Sequence, residues 1–372
     1  MFLYLEESGV FEELKYKLEE LRKDKEIKTV ILLSAEKNDV DTQKLSNYLK
    51  KYDKNILGGI FPGIIYKNKK YDRGNLIVGL KKEGLVKIVP QLSLPDIDYQ
   101  AIMDSMFDSI DKFNSLFVFV DGLAKRINAL MESLFNFFGF DVNYMGGGAG
   151  SLSLKQKPCI FSNRGVIMDA AVIGAFELTS EIGVNHGWRK IDGPFKVTES
   201  DRNKIDSIDW EPAYKIYKKI VDAHSDTEIT KSNFFEVAKN YPFGISKLGT
   251  EYIVRDPIDV SDNSVICVGE VPTESYINIL HGTSDSLIKA ADKALKSALH
   301  KFPNLIEDKS IFFIDCISRV LFLEDEFDRE LEVIAKANLP VWGILSLGEI
   351  ANSGDEFLEF YNKTAVVAVL EN

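Results

Sequence analysis

The chain has 372 residues, 45% of them hydrophobic and 27% charged, with a formal net charge of −12, a size that suggests two or three domains. The acidic balance excludes the cationic footprint of non-specific nucleic-acid binding and disfavours an anionic membrane surface. Three dispersed cysteines (Cys159, Cys267 and Cys316) form no CxxC pair and point to reduced thiols. No basic n-region leads an apolar run at the N-terminus and no stretch approaches ~18 consecutive apolar residues, so a cytoplasmic protein outside the membrane is expected.

Val10–Arg22 has helical spacing, with Phe11, Leu14, Leu18 and Leu21 on one face. A first unit follows: the strand TVILLSA from Thr29, a helix near Thr42–Tyr52, the glycine-bearing NILGGIFPGIIY, and NLIVGL up to Leu80. Gly84–Leu94 reads as a strand ended by Pro95, and Asp96–Phe113 as a helix through Ile102, Met106, Ile110 and Phe113. The second unit runs from Leu116 to Leu178: LFVFVDG, a helix through Ala129–Phe138, VNYMGGGAG, the triplet Phe161–Asn163, and AAVIGAFEL. The stretch Glu181–Gly249 departs from this pattern and includes a helix starting near Pro212, a residue suited to a first helical turn. The polar run Ser225–Ser232 reads as a linker. It divides the chain into an N-terminal lobe, 1–225, and a C-terminal lobe, 226–372. Tyr241–Leu280 reads as a decayed fourth unit, and Ser284–His300 as a helix standing before the last unit as Asp96–Phe113 stands before the second. That last unit runs from Ser310 to Asn372: SIFFIDC, a helix through Glu326–Ala337, LPVWGILSLGE, the triplet Phe360–Asn362, and AVVAVLE.

Self-similarity of this kind fixes architecture before any other signal. The expected fold class is α/β in the mixed α+β sense. Two related lobes, built from degenerate β-α-β-hairpin repeats, would enclose a ligand cleft.

Several residues carry candidate chemistry. Gly146, Gly147 and Gly148 follow a strand and can turn backbone N–H groups towards an anion, but no helix follows at once as a dinucleotide fingerprint requires. They serve equally well to let strands pack closely. Asp315, Cys316 and Arg319 end a buried-type strand, with Asp121–Gly122 and Arg126 at the matching place in the second copy. Ligands favour such carboxyl ends, and an arginine there can grip a carboxylate or tie strand to helix. Glu349 closes the last glycine strand and would accept from an amine or pair with a lysine. His186 and Trp188 form a polar-aromatic cluster, and Tyr241 and Arg255 lie at a turn and a charged strand end. The four histidines show no HxxxH or HExxH spacing, so no dedicated metal site is expected. No Ser-His-Asp order, paired catalytic carboxylates or Walker sequence stands out.

With these residues in hand, the chain resembles the FIST-domain family, N-terminal and C-terminal halves together, over Thr29 to Asn372. The matching pieces are the glycines Gly146–Gly148, HGW at His186–Trp188 with VT at Val197–Thr198, and PAY at Pro212–Tyr214. Further on come YPFGI at Tyr241–Ile245, VRD at Val254–Asp256, VGEVP at Val268–Pro272, CxxR at Cys316–Arg319 and Gly343–Glu349. The resemblance implies a bacterial sensory module of intracellular signal transduction that binds a small ligand, an amino acid or another small polar metabolite. No kinase, cyclase or methyl-accepting output is legible in the chain, so a separate partner such as a histidine kinase or cyclase is expected. The ligand set expected is Arg319, Cys316, Asp315, Gly146, Gly147, Gly148, His186, Trp188, Tyr241, Arg255 and Glu349, with no cofactor. A haem-binding nitric oxide sensor using His186 is the alternative. An enzyme working through Cys316 or Glu349 and a ligand-free interaction scaffold are the remaining readings.

Overall fold

The computed structural model describes residues 1–107, 112–246, 252–303, 306–352 and 357–372. The fold is mixed α+β, and its organising feature is a threefold repeat. In each copy a buried first strand runs parallel to a second strand reached through a helical crossover, and antiparallel to a last strand. These are Thr29–Ala35, Asn55–Phe61 and Asn75–Leu80 in the first copy. They are Ser115–Asp121, Asn143–Ala149 and Ala170–Phe176 in the second, and Lys309–Cys316, Val341–Ser346 and Ala365–Glu371 in the third. The first strands read as unbroken apolar runs because both of their faces are covered.

The copies do not keep their hairpins. The strand Gly63–Tyr66 leaves the first copy and pairs with Val341–Ser346 of the third. Glu349–Ala351 leaves the third and pairs with Asn143–Ala149 of the second. Ile160–Ser162 leaves the second and pairs with Asn55–Phe61 of the first. Each hairpin therefore completes its neighbour's sheet and the ring closes. On the opposite edges Phe2–Glu6, Leu85–Pro90 and Ser180–Asn185 pair with the three last strands, so all three six-stranded sheets have one strand order.

The inner faces share one core, in which Phe312 stacks on Trp342 at 4.2 Å and Phe117 and Phe119 pack against Phe312. Helices cover the outer faces: Phe11–Lys23 and Thr42–Leu49 on the first copy, Tyr99–Met106 and Ile127–Phe138 on the second, and Ser284–Lys301, Ile317–Leu323 and Phe327–Ala335 on the third. The helix predicted to Phe113 is observed as Tyr99–Met106, begun by Asp98 accepting from the Ala101 N–H at 3.0 Å; its expected member Ile110 lies outside the described residues.

Between Ser180–Asn185 and the helix Ser284–Lys301 the third copy carries an insertion. Arg189–Asp201, Tyr276–His281, Phe243–Ser246, Tyr252–Ser261, Ser264–Val268 and Lys204–Ile208 form one antiparallel sheet that closes because Arg189–Asp201 also pairs with Lys204–Ile208. The helix Ala213–His224 packs on it through Tyr217 and Val221. Tyr241–Leu280 is thus part of this barrel and not a fourth copy, since its described strands contain none of the parallel pairing that defines a copy. The barrel draws strands from both sides of residue 225.

One correspondence drawn from the sequence shifts. Asn163 accepts from the Ile56 N–H at 3.1 Å, and the residue doing the same in the next sheet is Asn352, which accepts from the Tyr144 N–H at 3.0 Å. The second FxN triplet, at Phe360–Asn362, sits on the other strand of its hairpin. The true partner of Phe161–Asn163 is therefore Ile350–Asn352. A glycine correspondence is sharper: Gly58, Gly146 and Gly343 lie opposite Leu32, Val118 and Phe313 at one register position. A Cβ at any of them would stand 1.9 Å from the carbonyl oxygen across the ladder.

Candidate functional site

The third copy's first strand ends at Asp315 and Cys316, which point to opposite faces because side chains alternate along a strand. Asp315 faces the helices. Arg319, one helical turn on and fully buried, brings its Nε to 2.8 Å from Asp315 and donates through Nη2 to Glu330 at 2.6 Å. Its Nη1 donates to the His186 carbonyl at 2.9 Å and Nη2 to that of Leu287 at 3.1 Å. Burial and the neighbouring carboxylate push Asp315 well above the usual carboxylate range; burial likewise raises Glu330, against Arg319. Arg319 is the cation that faces both acids. It joins strand, two helices and the loop that leads into the barrel, with Nη1 and Nη2 donating to protein atoms.

The matching place in the second copy is offset by one residue. Asp121 occupies the register position of Cys316, and Val120 that of Asp315. A one-residue slip moves a side chain to the other face, so Asp121 faces inward with Cys316 and not outward with Asp315. Arg126 donates to the carbonyls of Leu94 and Ile97 and holds that loop.

On the inward side, Glu349 is fully buried and accepts from Ser346 Oγ at 2.7 Å, the Thr364 N–H at 3.2 Å and the Cys316 thiol. Burial pushes it up to about 8. Burial, reinforced by Glu349, raises the Cys316 thiol well above its ordinary value, so Cys316 stands as a protonated donor and not as a thiolate nucleophile. Lys363, also buried, lies 3.1 Å from Asp256 of the barrel, donates to the Lys239 carbonyl at 3.0 Å and sits 5.1 Å from the Trp188 ring centre. Trp188 Nε1 donates to the Lys363 carbonyl at 3.1 Å. Ser318 donates to the second Asp256 oxygen at 2.7 Å.

Other expected residues join this seam between ring and barrel. Gly147 lies opposite Glu349 in the ladder, and the Gly148 N–H donates to the Gly348 carbonyl at 2.8 Å. Gly146 pairs with Ile350, and its close approach to Val118 allows no side chain. Arg255 donates to the carbonyls of Glu270 and Phe360, tying the barrel to the exchanged hairpin. Tyr241 stands one layer out, its hydroxyl 3.1 Å from His224 Nδ1 and its ring 5.1 Å from that of His281. His186 Nδ1 accepts from the Trp188 N–H at 3.0 Å, and burial plus Arg319 lowers its pKa to about 4. The neutral ring then carries its proton on Nε2 and presents no free lone pair, an arrangement that does not fit an axial haem ligand. No group of three or more His, Cys, Asp or Glu among the described residues is placed to hold a metal, and no described helix is long and apolar enough to cross a membrane.

Because folded Glu349 keeps its proton well past the unfolded value of about 4.3, the sign of its linkage is fixed. Its contribution to stability is complete below that value and is lost as pH rises through about 8. Urea unfolding should therefore lose about 1.4 kcal/mol per pH unit from this residue inside that window. Glu349→Gln, which keeps the shape without the ionisation, should flatten the profile between pH 5 and 8.

Sequence reasoning missed Lys363, Asp256 as its partner, and Glu330. A lone lysine in NKT directly before the apolar AVVAVLE was the available signal. It also missed an accessible cavity of about 410 Å³ between the first and second copies, at the carboxyl end of Thr29–Ala35. Ala35, Ile60 and Phe161 line it, with Asp121, Gly150 and the turn segment 151–158 closing the other side. Gly150 donates to the Ile60 carbonyl at 2.7 Å. The same glycine run continues to Gly148 and Gly147, which meet Leu347 to Glu349. Cavity and seam are thus joined by the segment 147–150, whose one side chain is the Ala149 methyl.

The FIST N domain family matches residues 29–211 and the FIST C domain family matches 213–352. Together they span most of the chain, which therefore belongs to the FIST family, whose domains are associated with sensory signal transduction. The N-terminal match takes in the first two copies and the start of the barrel; the C-terminal match takes in the rest of the barrel and most of the third copy. No individual curated protein is similar enough to be named beside the family.

Proposed function

We propose that this chain is a cytoplasmic sensory module that binds a small metabolite, an amino acid or a compound of similar size, and passes the signal to a separate protein such as a histidine kinase or cyclase. The observation that carries this reading is the accessible cavity. Its volume of about 410 Å³ suits a small ligand, and it lies where α/β units place theirs, at the carboxyl ends of parallel strands. The seam residues Arg319, Asp315, Cys316, Glu349, His186, Trp188, Arg255 and Tyr241 act in this reading as the responsive joint, coupled to the cavity through Gly146–Gly148. A ligand shifts such a joint only by binding one of its arrangements more tightly than the other.

Thermal unfolding across amino acids, small organic acids and haem tests the proposal. A true ligand raises stability by mass action, about 2.7 kcal/mol at a hundredfold excess over Kd. Ser151→Trp, which places an indole over the half-buried mouth, should remove that response. A compound set that leaves the unfolding temperature unchanged throughout, or a response that survives Ser151→Trp, counts against it.

A further inference from the structure

The cavity wall divides sharply by chemistry. Its floor is apolar: Val40, Leu45, Ile60, Leu123 and Phe161 all line it. The polar groups at its rim differ in how far they are already used. Asp121 accepts from the Leu123 N–H at 3.1 Å and, through its other oxygen, from the Asp169 N–H and Gln156 Nε2 at 2.8 Å each. Both of its oxygens are therefore taken. Glu36 accepts from the Leu152 N–H at 2.8 Å and keeps one oxygen. Lys37 is paired with Asp72 at 2.5 Å. The end of the helix Thr42–Leu49 offers nothing to an anion, because Asp41 already accepts from the Gln43 and Lys44 N–H groups. Lys155 and Lys157 are different. Both line the cavity from the turn segment, both are exposed, and neither has a carboxylate partner among the described residues. The uncommitted charge at this mouth is predominantly cationic, two lysines against the one free oxygen of Glu36, and it stands over an apolar floor.

We infer that the cavity takes a small organic anion with an apolar body, an aryl- or branched-alkyl carboxylate, with the carboxylate held by Lys155 and Lys157 and the hydrocarbon laid on the floor. The inference rests on the ligand-binding reading and narrows it. An amino group on the ligand is tolerated at Glu36 but is not needed. A ligand with a charged or strongly polar body is disfavoured, because the floor would desolvate it without returning hydrogen bonds.

Calorimetric titration of the full chain with four probes tests this: 3-phenylpropanoate, phenylalanine, 2-phenylethylamine and glutamate. The expected order has 3-phenylpropanoate and phenylalanine binding, with the amine and glutamate at least tenfold weaker. The double variant Lys155→Ala/Lys157→Ala should weaken 3-phenylpropanoate at least tenfold while leaving the unfolding temperature of the free protein unchanged, since both side chains are solvent-exposed. The exposed Lys125→Ala should change neither. Binding of the amine as tightly as the acid, acid affinity indifferent to the double variant, or no binding of 3-phenylpropanoate overturns the inference. If glutamate binds instead and Ser151→Trp abolishes it, the sensory reading stands and only the apolar-anion class falls. If the broad metabolite screen is silent as well, both fall.

Discussion

Arg319→Met is expected to destabilise the protein by about 3–5 kcal/mol at neutral pH, the usual cost of removing one member of a buried charge pair. Arg319 is fully buried and is the cation shared by Asp315 and Glu330, themselves fully buried. Methionine fills much of the space but leaves both acids without a countercharge, and it strips the donors from the His186 and Leu287 carbonyls. The penalty should shrink as pH falls, because burial holds both acids above their ordinary range and acid pH neutralises them before the fold is lost. Chemical denaturation at pH 5 and pH 8 measures both effects. A loss below about 1 kcal/mol, the level of an exposed ion pair, would show that Arg319 does not hold this junction.

Gly146→Ala should cost at least about 3 kcal/mol, at or beyond the upper end of ordinary overpacking. Its added Cβ would stand 1.9 Å from the Val118 carbonyl oxygen, which is backbone in the centre of a sheet and cannot rotate away. Gly58→Ala and Gly343→Ala should behave alike, since they occupy the same register position against Leu32 and Phe313. Gly139→Ala is the control. There φ is +67° with ψ −148°, and nothing lies within 4 Å of the added Cβ, so only backbone strain of about 1–3 kcal/mol is expected. Equal costs at Gly139 and Gly146 would mean that the close approach across the ladder is not what the glycines serve.

The repeat was legible because it is written in composition. An unbroken apolar strand, a helix with a single apolar face and a glycine-bearing strand recur in all three copies, and the glycines fall where the ladder admits no Cβ. The exchange of hairpins was not legible. Gly63–Tyr66 and Glu349–Ala351 carry no local mark of which sheet they join, and pairing with a neighbour satisfies the same hydrogen bonds as pairing at home. Phase was also hidden. Asp121 and Asp315 look equivalent by distance from the apolar run, yet the register sets them one residue apart and on opposite faces. The barrel was hidden because its long strand Arg189–Asp201 is broken by bulges and contains the Gly193–Pro194 step, which reads as turn. Of the residues expected to bind ligand none lines the cavity; Glu349, Cys316 and Asp315 were legible as polar groups at the ends of apolar strands, and Arg319 as a charge one helical turn beyond. Lys155 and Lys157 were not, because LSLKQKP reads simply as a polar turn until the fold sets it over a cavity.

On the ligand-binding reading, a compound held between the first two copies is felt at the seam with the barrel. Hydrogen exchange on the full chain, with and without whichever compound raises its unfolding temperature, tests it most directly. Slower exchange is predicted both in segments 34–42 and 150–158 around the cavity and in segments 254–256 and 363–365 at the seam. Protection confined to the cavity, or found in the barrel with the cavity unchanged, would contradict it.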